Sequence, residues 1–210
     1  MIFMSEESQY KEFLINDCYF DSAHDLTHIQ RVVQSAKKIC MQENADSEIV
    51  TAAAWLHDCV TLPKDHPDRS KSSILAGEKA AEFLKSTDFP EEKIQNVAHA
   101  IKAHSYSAGI KPETLEAKIV QDADRLDALG AIGIARCMMV GGRLNRPLYH
   151  PDDPFCERRA TDDSVYTIDH FYEKLFKLPD LMNTKSAKLL ADERVEFMKD
   201  FLNRLSEEIR

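Results

Sequence analysis

Apolar residues recur along the chain at intervals of three and four, and no stretch alternates strictly enough to make a half-buried strand. The pattern predicts helices almost throughout. A first helix is expected from about Ser22 to Met41, with Ile29, Val32, Val33, Ala36, Ile39 and Cys40 on one stripe. Asp46 or Ser47 suits the cap of a second, in which Ile49, Val50, Ala53, Ala54 and Leu56 run into His57-Asp58. Pro63 to Pro67 (PKDHP) breaks the chain, and a third helix is expected from Ser70 to Lys85. Asp88 with Glu91 has the form of a capping box opening a fourth, where Ile94, Val97, Ala98 and Ile101 keep the helical spacing. After Gly109 and Pro112 a fifth begins near Glu113 and carries Leu115, Ile119, Ala123 and Leu126, with a continuation past Gly130 and Gly133 to Val140.

Residues 141–163 differ. They contain Gly-Gly, three prolines and no helical period, and form a longer loop than compact domains usually tolerate, as lids and binding elements often do. Two helices finish the chain, Val165 to Leu178 and Thr184 to Ile209, the last with Leu190, Phe197, Phe201 and Leu205 on one face. Six glycines and the absence of Asn-Gly or Asp-Gly turns fit an all-α fold. The expected organisation is one domain over 1–210, with its core at about 20–140, the loop, and C-terminal helices from 164.

The composition narrows the chemistry. With 43% hydrophobic residues the chain can bury a core without staples. Cys18, Cys40, Cys59, Cys137 and Cys156 are odd in number and lack a CxxC, which points to free thiols in a reducing compartment rather than disulfides or structural zinc. The N-terminal apolar stretch is too short for a signal peptide, and no apolar run approaches the ~20 residues that span a bilayer, so a cytoplasmic location is expected. A net charge of −9 disfavours wrapping a nucleic-acid backbone but not binding a small anion in a pocket. Met4, Met138, Met139, Trp55 and the phenylalanines of the last helix read as core.

Three polar clusters stand out. In AHDLTHIQRV, His24 and His28 are four apart and share a helix face, a spacing that solvated or core histidines also show. HDLTH has the outline of the zinc-protease HExxH, with Asp where the Glu base would be. In WLHDCV, His57 and Asp58 follow an apolar helix; a buried carboxylate there requires a partner, and a cation would serve. Neighbours on a helix point about 100° apart, so spacing alone does not aim them at one ion. In QDADRLDALG, Asp122, Asp124 and Asp127 crowd one helix; Arg125 is a ready partner on a solvated face, and one aspartate could instead turn to a cation.

A His in an early helix, a His-Asp pair ending the next, and an Asp-Arg far downstream together resemble the HD-domain superfamily of metal-dependent phosphohydrolases. AHDLTHIQRV, PKDHPDRSKSSI, HAIKAHSYS and IVQDADRLDALGAIG are similar to one subgroup of small bacterial HD hydrolases, with which pyrophosphohydrolase activity on nucleoside triphosphates is associated. The resemblance implies a compact helical bundle and His28, His57, Asp58 and Asp124 as ligands of one divalent ion. Mixed N/O ligation favours Mn²⁺, with Fe²⁺, Co²⁺ and Ni²⁺ as alternatives; Mg²⁺ remains open although it prefers oxygen ligands.

Phosphoryl transfer also needs positive charge at the equatorial and leaving oxygens. Lys64 and Arg69 stand just beyond the His-Asp pair, and Ser70, Ser72 or Ser73 lies at a helix start, which favours anions. The resemblance turns Lys64, Arg69 and Ser72 into expected phosphate contacts, with Arg125 beside the last ligand. Asp58, Lys64, Arg69 and His104 are the expected catalytic group. His99 and His104 are five apart and an unbroken helix would not aim them together; the reading adopted is one metal, with His104, His99 and His24 helping the substrate. CVTL follows the His-Asp pair where some HD nucleotidases carry a Glu, which weighs against a simple 5′-nucleotidase.

The leading expectation is therefore cleavage of a nucleoside triphosphate to monophosphate and pyrophosphate, with a nucleotide as partner and a homodimer left open. Competing readings are a phosphodiesterase or phosphomonoesterase on the same scaffold, a nucleotide-binding regulator without turnover, and a two-iron HD-type oxygenase.

Overall fold

The computed structural model describes residues 5–18, 26–62 and 66–209, and among these every regular element is helical. It divides into two compact units, Met1–Asp124 and Arg125–Arg210.

In the first unit, α1 (Glu6–Asp17) is capped by Ser5, whose side chain accepts the Ser8 N–H. It buries only Tyr10 and Leu14, too few positions for the sequence pattern to reveal it. Trp55 Nε1 donates to Glu7 Oε2 at 3.0 Å, and Lys37 Nζ pairs with Glu7 Oε1 at 2.5 Å, which fastens α1 to the two helices that follow. The first of these, α2 (Leu26–Glu43), buries the expected stripe with His28 added, and Asn44 ends it in a left-handed conformation. The expected start at Ser22 lies outside the described residues, as does Met4.

Capping of α3 (Ser47–Leu56) falls to Asp46, whose carboxylate accepts the N–H of Glu48 and Ile49 at 3.0 and 3.3 Å. This helix is apolar nearly all round; it packs on α1, α2 and α5 and buries Trp55 as expected. A 3₁₀ turn, Arg69–Lys71, leads into α4 (Ser72–Lys85). The capping box expected at Asp88 does not form. Pro90 occupies the cap of α5 (Glu91–His104), and Asp88 is exposed outside it. Close packing of α4 on α5 requires Gly77, where a Cβ would meet the Ala98 carbonyl at 2.9 Å. A 3₁₀ turn at Tyr106–Ala108 closes on Gly109, and α6 (Leu115–Leu126) follows.

The continuous helix expected from Glu113 to Val140 is in fact two. The chain breaks at 127–129, and α7 (Gly130–Arg143) starts at Gly130 with φ of 71°. Gly133 allows the Ala128 carbonyl to lie 2.2 Å from where a Cβ would stand, so the glycines that appeared tolerated inside a helix instead permit the turn. Arg136 pairs with Asp127 across this break.

Residues 144–168 form a long irregular segment that is heavily stitched. Asp153 accepts the N–H groups of Glu157, Arg158 and Arg159 at 2.8–3.0 Å. Arg159 forks onto the fully buried Asp169 at 2.5 and 2.6 Å, and Asp169 also accepts the Asp162 N–H. The helix expected from Val165 is shortened because the Thr167 and Ile168 N–H groups donate to Pro147 and Leu148 instead. What remains is α8 (Asp169–Glu173) and a 3₁₀ stretch, Leu175–Leu181. Finally α9 (Lys185–Ile209) packs on α7 and on the Leu175–Leu181 stretch and buries Ala187, Ala191, Val195, Met198 and Leu202. That face is displaced from the expected Leu190, Phe197, Phe201, Leu205 stripe: Phe197 is 52% exposed, as is Met139 of α7 at 65%. All five cysteines are free, with Cys40 and Cys59 buried and the other three partly so.

Candidate metal centre

Three helix ends supply the first four residues of a polar cluster in the first unit. His28 stands in the first turn of α2, His57 caps the C-terminus of α3, Asp58 follows it, and Asp124 lies near the end of α6. One ligand atom each from His28, His57 and Asp58 fall within 4.8 Å of one another, an arrangement able to hold a metal ion. Asp124 Oδ1 is 3.4 Å from His28 Nε2, so the fourth expected ligand joins the same group. The obstacle foreseen for adjacent residues does not arise. The pair lies just past the end of α3, in a turn closed by the Cys59 N–H on the Leu56 carbonyl, and His57 Nε2 comes to 3.6 Å from Asp58 Oδ2.

His104, at the C-terminal end of α5, completes the cluster. Its Nε2 is 3.6 Å from Asp58 Oδ1, and its ring lies 4.9 Å from that of His57, nearly edge-on. His57 and His104 are oriented in the same way. Each Nδ1 contacts the carbonyl three residues earlier, Ala54 at 2.8 Å and Ile101 at 2.6 Å. A carbonyl only accepts, so each Nδ1 carries a proton, and in the neutral ring of His57 this leaves Nε2 with a lone pair. Metal-binding histidines are held in this manner.

The His57 Nε2 lone pair is buried, has no hydrogen-bond partner among the described residues, and faces the Asp58 carboxylate at 3.6 Å. Two electron-rich groups aimed at one another are unfavourable unless a cation stands between them. The residues therefore fit a divalent ion on their own chemistry. Burial depresses the His57 pKa despite the nearby Asp58, which keeps the imidazole in its neutral, ligating form. For Asp124, desolvation works upward, but the His28 hydrogen bond and the surrounding imidazoles outweigh it and hold the carboxyl well below its ordinary range. Burial likewise opposes protonation of His104, yet the hydrogen bond and charge of Asp58 prevail and raise its pKa.

The other expected site residues are distributed differently. His24 and Lys64 lie outside the described residues. Arg69 Nη1 donates to the Leu62 carbonyl at 3.4 Å, and Ser72 Oγ accepts the Leu62 N–H at 3.2 Å, so both grip the segment after the His-Asp pair. His99 Nε2 accepts the Glu113 N–H at 3.1 Å, one and a half turns from His104 along α5. Arg125 donates to the Leu181 carbonyl within the second unit. Of the three aspartates in QDADRLDALG, Asp124 is the one set against His28; Asp122 is fully buried, and Asp127 pairs with Arg136.

Gln121 escaped the sequence reading. Its side chain donates to the Ala103 carbonyl at 2.7 Å and ties α6 to the end of α5 beside His104. The signal was a buried-type amide three residues before Asp124, on the same helix face.

Comparison with known proteins places these features in context. The HD domain family model matches residues 25–129. Protein YpgQ of Bacillus subtilis is 36% identical over 192 residues, covering 90% of this chain and 85% of that protein. The crystal structure of B. subtilis YpgQ in complex with ADP is similar with a TM-score of 0.72 and 34% identity, covering 98% of this chain and 97% of that one. An HD-superfamily hydrolase from Bacillus thuringiensis is similar with a TM-score of 0.73 and 34% identity, over 97% and 98% of the respective chains.

Proposed function

Because the chain belongs to the HD domain family, we propose that this hydrolase is a divalent-metal-dependent enzyme that cleaves nucleoside triphosphates to monophosphate and pyrophosphate. The observation that carries the reading is the buried Nε2 of His57, without a hydrogen-bond partner among the described residues and turned toward Asp58. His28, His57, Asp58 and Asp124 would hold one ion, with Mn²⁺ preferred for its tolerance of mixed N/O ligands. When bound, such an ion supplies Lewis-acid charge at a phosphoryl oxygen and acidifies water.

The chain's own residues do the remainder. His104, locked by Ile101, presents Nε2 on the Asp58 side of the cluster, where it can hold or deliver a proton at the phosphoryl group. A guanidinium has five N–H donors, so the Arg69 bond to Leu62 leaves others for phosphate oxygens, and Lys64, five residues earlier in the sequence, is the second cation of the proposal. A nucleotide substrate is favoured by the ADP bound in the similar YpgQ structure. The second reading is a phosphodiesterase or phosphomonoesterase acting on nucleotides through the same metal site.

The test is phosphorus NMR of metal-stripped protein incubated with ribo- and deoxyribonucleoside triphosphates and Mn²⁺. Pyrophosphate and monophosphate in equal amounts are expected, absent in Asp58→Ala, whose helical circular dichroism should match the parent. Orthophosphate with diphosphate would move the cut to the terminal phosphate. Full turnover in Asp58→Ala would remove the site assignment.

A further inference from the structure

The backbone that carries Asp58 is not held by a helix. The α3 ladder stops at Leu56, and residues 58–62 turn outside any regular element. They are fixed by contacts of their own. The Cys59 N–H donates to the Leu56 carbonyl at 3.1 Å, and Thr61 Oγ1 donates to the Asp58 carbonyl at 3.3 Å. The far end of the turn is anchored to the start of α4. The Leu62 N–H donates to Ser72 Oγ, the Leu62 carbonyl accepts from Arg69, and Cys59 Sγ donates to the Ala76 carbonyl at 3.3 Å.

Ser72 is the first residue of α4, where a hydroxyl or an anion would ordinarily be expected to meet exposed helix N–H groups. Here its oxygen is taken by Leu62, four residues after Asp58. We infer that Ser72 is a positioning residue for Asp58: by gripping the Leu62 amide it fixes the turn that aims the carboxylate at His28 and His57. It acts on metal affinity rather than on substrate. The physical ground is the tolerance of coordination, since ligands must be held to about 0.5 Å to act together. An aspartate on an irregular turn meets that demand only through what ties the turn down.

This inference rests on the metal site of the proposed function but not on the reaction assigned to it. The test is calorimetric titration of Mn²⁺ into the metal-stripped full chain, with amide exchange at Leu62 followed by NMR. In Ser72→Ala the Leu62 amide should lose protection and the Mn²⁺ Kd should rise about tenfold, the lower end of the effect of outer-shell partners. Ser72→Thr keeps the hydroxyl and should restore both. An unchanged Mn²⁺ Kd in Ser72→Ala, with Leu62 deprotected, would overturn the inference; so would an unchanged Kd with a raised KM for nucleotide, which would make Ser72 a substrate contact. Mn²⁺ binding that responds to Ser72→Ala in a protein that releases no pyrophosphate would remove the proposed reaction and leave this inference standing.

Discussion

His57 shows how one atom can disclose a cofactor. Its ring is buried, its protonated nitrogen is fixed by Ala54, and its other nitrogen, without a hydrogen-bond partner among the described residues, faces the Asp58 carboxylate. An unsatisfied buried group costs on the order of 1–3 kcal/mol, so the apo site is held at the expense of stability and should respond to metal. Mn²⁺ at a hundredfold excess over its Kd should stabilise the parent by about 2.7 kcal/mol. His57→Ala should lose that gain, and urea unfolding with and without Mn²⁺ measures it. The identities of His28, His57, Asp58 and Asp124 were legible in the sequence as an ordered set of motifs. Their convergence was not, because it depends on how α2, the end of α3 and α6 come together in the fold. The roles of Gln121 and Ser72 were hidden for a related reason: each is defined by a backbone group from a distant stretch of chain, Ala103 or Leu62.

Among the helices, legibility follows how much of each face is buried. The stripe of α2 is continuous, and the sequence located it. In α1 only Tyr10 and Leu14 are covered, and its hold comes from Glu7 bonding Trp55 and Lys37, a tertiary contact that leaves no period. The break between α6 and α7 depends on a left-handed glycine, which the same letters in an unbroken helix would not announce. Capping was legible where a side chain performs it and misread where proline intervenes: Asp46 caps α3, whereas Pro90 displaces Asp88. Asp46→Ala should therefore destabilise the chain by about 1 kcal/mol, the usual value of such a cap, with little further loss from its solvent-accessible, half-buried pair with Lys93. Denaturant midpoints at constant slope would verify this, and Asp46→Asn should recover most of it. Asp88→Ala should leave the midpoint unchanged.

For the molecule as a whole, the composition of 141–163 reads as a long loop of the kind that serves as a lid, a binding element or merely a contact surface, yet the irregular segment 144–168 is bonded internally like a folded element. The Arg159–Asp169 fork is its principal tie. Burial alone would raise the Asp169 pKa, but Arg159 and the Asp162 N–H outweigh it and hold the carboxyl below its ordinary value. A carboxyl with a depressed pKa in the fold adds stability above its unfolded pKa of about 4, and that stability is lost as pH falls through the lower folded value. Arg159→Ala strands a buried carboxylate and should cost about 3 kcal/mol at pH 7. The gap from the parent should narrow near pH 3, and urea titrations at the two pH values would show it. A gap that widens on acidification would mean that other groups govern the segment. No helix among the described residues is long and apolar enough to cross a membrane.

The placement of the cluster also bears on how such a chain diverges. His28, His57, Asp58, His104 and Asp124 all belong to the first compact unit, and the stitched segment belongs to the second. Insertions after residue 124 therefore leave the spacing of these five residues along the chain unchanged. A lineage could lengthen or shorten beyond α6 without altering the register in which the ligand set is written.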